Sequence, residues 1–102
     1  MRLVVRPRAA DDLRTAYEHY AAIDPDLPDG FRDEFEVVVD RLGMFPLSGR
    51  PVEGVHGVRR ARMRRFPYGV FYRTLSVDEI RILRVLHASQ DRSRALQDEG
   101  CP

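Results

Sequence analysis

The stretch Val58-Arg59-Arg60-Ala61-Arg62-Met63-Arg64-Arg65-Phe66-Pro67-Tyr68-Gly69-Val70-Phe71-Tyr72-Arg73, followed by Arg81-Ile82-Leu83-Arg84-Val85-Leu86-His87-Ala88-Ser89, decides how this chain folds. Before it, apolar residues recur at helical spacing; from Val58 onward they alternate. Residues 58–66, 70–75 and 80–86 read as three strands. The connections between them, Pro67-Tyr68-Gly69 and Ser76-Val77-Asp78-Glu79, are short enough for antiparallel hairpins. In the last run Ile80, Ile82, Leu83, Val85 and Leu86 leave no polar face, the pattern of a central strand covered on both sides. In the first run, alternation sets Arg60, Arg62 and Arg64 with Val58 and Phe66 on one face. Arg59 and Arg65 fall with Ala61 and Met63 on the other, the face expected to meet the core.

Working back from there, residues 43–57 hold four glycines and two prolines, which rules out a regular element and predicts a crossing loop. At this length such a loop is functional or is held down by apolar anchors, for which Phe45 and Leu47 are placed. Upstream, Leu13, Ala16, Tyr17 and Tyr20 predict a helix over 8–23, with Asp11 and Asp12 where the helix dipole favours carboxylates. Asp24-Pro25-Asp26-Leu27-Pro28 breaks it. A second helix starts near Pro28, buries Phe31, Phe35, Val38, Val39 and Leu42, and stops at Gly43. The short connection predicts an antiparallel helical hairpin. Leu3-Val4-Val5 reads as an N-terminal strand handing over to a helix at Pro7. Beyond His87 the chain turns polar, and residues 91–98 read as a short helix or a tail. The expectation is an α+β domain spanning 1–102: an N-terminal strand, a helical hairpin, then three antiparallel strands forming a small sheet.

A chain of 102 residues suits one core without disulfides. The one cysteine, Cys101, gives no disulfide framework and no thiolate cluster for zinc. No run approaches the roughly 20 apolar residues that span a bilayer, and the opening reaches charge and proline too soon for a signal peptide, so a cytoplasmic protein is expected. The net charge of +1 is unevenly spread: residues 1–50 carry −3 and residues 51–102 carry +4. All 17 basic residues are arginine, each a planar fork suited to a carboxylate or phosphate.

The quoted stretch resembles the ParE/RelE superfamily of toxins from type II toxin–antitoxin pairs. Phe66-Pro67-Tyr68, the apolar strand ending in Tyr72-Arg73, and then Arg84-Val85-Leu86-His87-Ala88 are most similar to the ParE branch. The resemblance implies a growth-inhibiting toxin, linked to plasmid stabilization, that a small cognate antitoxin neutralises in a hetero-oligomer. ParE-like members poison DNA gyrase, whereas RelE-like members cut mRNA in the ribosomal A site.

RelE-like nucleases place arginines, and often a C-terminal tyrosine, around the RNA phosphate. The position after the Tyr68 match, where they carry an arginine, is Gly69; the basic position past the last strand is Ala88 or Ser89; and no tyrosine follows Tyr72. These departures point to a binding toxin that inhibits gyrase rather than to an enzyme. For a nuclease, Arg73, Arg84 and His87 would have to serve as the catalytic set, with the ribosome and mRNA as target. A third reading is an inactive toxin fold kept as an antitoxin-binding partner. Arg60, Arg62 and Arg64 form a row at period two that suits an acidic antitoxin segment. The rival use of that row is nucleic-acid binding, with Tyr68, Phe71 or Tyr72 stacking on bases. The histidines have no metal-ligand spacing, so neither metal nor cofactor is expected, and no membrane partner is implied.

Overall fold

Proline at the first helical position begins helix α1, Pro7–Ile23, directly after strand β1, Arg2–Val5. The computed structural model describes residues 2–76, 78–90 and 92–96. Helix α2 runs Leu27–Met44 and turns back beside α1. There follow β2 (Arg50–Pro51), β3 (Arg59–Arg62), β4 (Tyr68–Ser76), β5 (Glu79–His87) and a single helical turn, α3 (Arg92–Ala95). The strands form one sheet in the order β1-β5-β4-β3-β2. Pairings are antiparallel except β1 with β5, which is parallel because the helical hairpin carries the chain back across the sheet before β5 is laid down. The fold is the expected α+β arrangement.

Two cores sandwich the sheet. Facing the helices, Phe31, Phe35, Val38 and Leu42 of α2 pack with Ala9 and Ala16 of α1 on Ala61, Val70, Tyr72, Ile80, Ile82 and Val85. On the other face Val58, Phe71, Leu83, Leu86 and Leu96 are covered by Val52, Val55 and Ala95. A bulge explains how β5 serves both. Phe71 pairs with Arg84 but Tyr72 pairs with Ile82, so Leu83 is an extra residue that shifts the alternation. Ile82 and Val85 thus face the helices while Leu83 and Leu86 face away, which is why this run has no polar side.

Several expectations are corrected. Residues 43–57 do contain a strand, the two-residue β2, whose Pro51 suits an edge. Gly43 does not stop α2; it lies in the last turn, and the helix ends at Met44 with the Phe45 amide bonded to the Arg41 carbonyl. Asp11 and Asp12 are not in the first turn of α1, because that helix begins at Pro7. Phe45 and Leu47 anchor nothing: they are 61% and 64% exposed. The loop is held by hydrogen bonds instead. The buried Tyr72 hydroxyl donates to the Pro46 carbonyl (2.7 Å) and accepts from the Gly49 amide (3.0 Å), and Arg59 Nη1 donates to the carbonyls of Leu47 (3.2 Å) and Gly49 (2.9 Å). Gly49 is required there, since a Cβ would fall 2.6 Å from the Tyr72 oxygen. The tail reading of 91–98 is met in part by α3; Cys101 lies outside the described residues.

Candidate functional site

At the end of the sheet where β4 begins and β5 finishes, the face away from the helices opens into a cleft of about 510 Å³. Register decides who meets there. Gly69 of β4 stands between Arg62 of β3 and Leu86 of β5, and Tyr68 stands opposite His87. Arg60, Arg62, Phe71, Ala88 and Gln90 complete most of the lining, which includes no Asp or Glu among the described residues. Gly69 shapes the cleft by lacking a side chain. A Cβ on it would come within 3.1 Å of the Arg60 stem, so the stem lies across the strand in the space a larger residue would fill.

Arg64 is not part of the row that alternation suggested. β3 ends at Arg62, and the chain bends away because Glu34 of α2 accepts the amides of Arg64 (3.2 Å) and Arg65 (3.0 Å). The Arg65 amide, and then those of Arg64 and the Arg65 charge, hold the Glu34 carboxyl below the usual glutamate range. The same bend carries Phe66 to the helix side, off the arginine face where alternation had put it. Its ring packs against Tyr20 and Phe31 at 5.0 and 5.3 Å between centroids. Arg60 and Arg62 therefore act as a pair.

The three nuclease candidates are not brought together. Only His87 lines this cleft. Its Nδ1 accepts from the Ser89 amide (2.9 Å) and lies 2.7 Å from the Ser89 hydroxyl, which places the ring proton on Nε2 and leaves the neutral imidazole no free lone pair. Its ring also meets the Tyr68 ring edge-on at 5.2 Å. Arg84 lies past the end of β1 and is gripped by Asp12 of α1 at 2.7 and 2.9 Å. Arg73 pairs with Arg81 at the other end of β4, where its guanidinium donates to the His56 carbonyl (3.2 Å). Five residues of strand separate Tyr68, opposite His87, from Arg73, which is about 17 Å.

Nor are the three aromatics on offer as stacking platforms. Tyr72 and Phe71 are fully buried on opposite faces of the sheet, and Tyr68 belongs to the aromatic cluster with Tyr20 and Phe31. Burial raises the tyrosine pKa at positions 20, 68 and 72, as expected for phenols held against apolar neighbours.

A second cleft, of about 420 Å³, lies beyond Val58 and is lined by Leu47, Pro51, Val55, His56, Gly57, Arg59, Arg73 and Thr74. Gly57, at φ +76°, makes the turn that brings His56 over Arg73. Sequence periodicity had no signal for this cleft, because half its lining comes from the irregular loop.

A family model described as the ParE toxin of type II toxin–antitoxin systems, parDE, matches residues 3–92. Among solved structures, the chromosomal ParDE TA system from P. aeruginosa is similar to this chain, with 29% sequence identity and a TM-score of 0.64 over 85% of this chain and 95% of that one. No curated protein matches the chain significantly.

Proposed function

Because the chain belongs to the ParE toxin family of type II toxin–antitoxin systems, we propose that it is the toxin of such a pair, inhibits DNA gyrase by binding, and is neutralised in the cytoplasm by a cognate antitoxin. The observation that carries the choice of binding over catalysis is the meeting of Gly69 and Ala88 in one cleft. Both stand where a RelE-like nuclease would place charge. Arg60 occupies the room above Gly69, Arg84 is held by Asp12, and His87 has its Nδ1 engaged. A general base needs an open lone pair within reach of substrate, and this set supplies none.

For neutralisation, Arg60 and Arg62 are the proposed contacts. Two guanidinium forks beside an apolar floor of Phe71 and Leu86 suit carboxylates on an antitoxin segment that orders as it binds.

The test is direct. Purified toxin lowers supercoiling by gyrase and leaves ribosomal mRNA intact, and its growth arrest is relieved by the product of the adjacent antitoxin frame. Cleaved mRNA with unaffected gyrase would replace this reading with the RelE-like one. Absence of growth arrest would leave an inactive toxin fold that binds its antitoxin.

A further inference from the structure

Four large apolar side chains stand in solvent around the end of α2: Val37 (55% exposed), Met44 (69%), Phe45 (61%) and Leu47 (64%). Val37 and Met44 share a face of the helix, and the next two residues of the group continue it onto the loop. An exposed group of this kind on a small protein marks a contact surface. The loop that carries Phe45 and Leu47 is held at Pro46, Leu47 and Gly49 by Tyr72 and Arg59, so these side chains are displayed on a fixed backbone. A surface fixed beforehand loses little entropy on binding.

Leu47 is also the outer wall of the second cleft, which holds Arg59, Arg73 and His56 and, among the described lining residues, no carboxylate. Apolar lip and cationic cleft are therefore one continuous surface. Arg59 and Arg73 already touch backbone carbonyls, but a guanidinium has five N–H donors and keeps capacity for a carboxylate.

We infer that this surface, Val37, Met44, Phe45 and Leu47 with the Arg59–Arg73 cleft, is a second docking site for the antitoxin, receiving an acidic amphipathic segment. Its apolar side chains cover Phe45 and Leu47 while a carboxylate enters the cleft. The inference rests on the antitoxin reading above and adds a separate site to it. The occupant follows from the chemistry. A nucleic acid has phosphates for the arginines but no aliphatic surface to cover Val37, Met44 and Leu47. A second copy of this chain in a two-fold contact sets Arg59 and Arg73 against their own kind. An acidic amphipathic segment satisfies both halves.

The experiment compares the wild-type toxin with Phe45→Asp/Leu47→Asp, measuring affinity for the purified product of the adjacent antitoxin frame by calorimetry, with circular dichroism and thermal midpoint as fold checks. The double variant should bind about tenfold or more weakly with an unchanged fold, the scale of losing a buried apolar anchor. Arg73→Gln should weaken binding and reduce its dependence on salt. Should the double variant fail to fold, Leu47→Ser carries the same comparison. Unchanged affinity in the variants overturns the inference. If growth arrest is lost at the same time, the surface belongs to the target, and if a concentration-dependent dimer of the toxin disappears, to a second copy. A wild-type toxin that does not bind the antitoxin fails the underlying reading and the inference with it, a result distinct from equal binding by wild type and variant.

Discussion

Asp12 in α1 and Arg84 in β5, 72 residues apart, form a two-pronged ion pair at 2.7 and 2.9 Å, and the same carboxylate accepts the Val85 amide at 2.9 Å. β1 ends opposite Ile82, so the free edge of β5 past that point has no strand to receive its amides. The Asp12 carboxylate takes that place and ties the first helix to the central strand. The two side chains are only 14% and 16% exposed. Asp12→Ala leaves a largely buried guanidinium and an orphaned amide, and should cost about 3 kcal/mol of stability in urea unfolding.

The Tyr72 hydroxyl holds the crossing loop at two points, and Gly49 leaves no space for a Cβ beside it. Tyr72→Phe should cost about 1–2 kcal/mol and speed amide exchange around residues 46–49, while the core stays protected. Gly49→Ala should destabilise more, because the Tyr72 ring and the Arg60 carbonyl both lie under 3 Å from the added carbon.

Glu34 contributes a pH dependence of known sign. Its folded carboxyl titrates below the ordinary 4.5, chiefly through the Arg65 amide. Its stabilising effect is fully present above the unfolded value and is lost as the pH falls through the lower folded value. Glu34→Gln should thus be less stable than wild type at neutral pH, and the gap should close as the pH is taken below 4.5. A gap that persists in acid would mean that the amide bonds, not the charge, carry the effect.

Charge reversal separates the arginines. Arg60→Glu/Arg62→Glu should weaken the antitoxin complex by about tenfold or more and flatten its salt dependence. Arg64→Glu should change affinity by much less, since β3 ends before it. Equal effects from all three positions would restore the row that strand alternation implies.

Much of the fold was legible in the sequence because it depends on local periodicity. The stripes through Phe31, Phe35, Val38 and Leu42 and the alternation from Val58 onward each specify an element and its buried face. The site was legible only in part. Arg60 and Arg62 could be placed on one face by counting, but Arg64 and Phe66 could not, since the bend that removes them is imposed by Glu34 on a different helix. Phe45 and Leu47 show the same limit: their apolarity suggested burial, and the polar contacts of Tyr72 hold their loop while leaving them in water.

The sequence by itself determined the element types, the α+β class and the loss of charge at Gly69 and Ala88, because these follow from residue identity and spacing along the chain. Only the tertiary structure decided that Gly69 and Ala88 share a cleft, that Arg84 serves Asp12 and that Arg73 faces a different cleft from His87. Those outcomes depend on register and on one bulged residue, Leu83, which sets the faces of every later position in β5. A one-residue shift reverses sidedness at little local cost, so the choice belongs to the packing of the whole sheet.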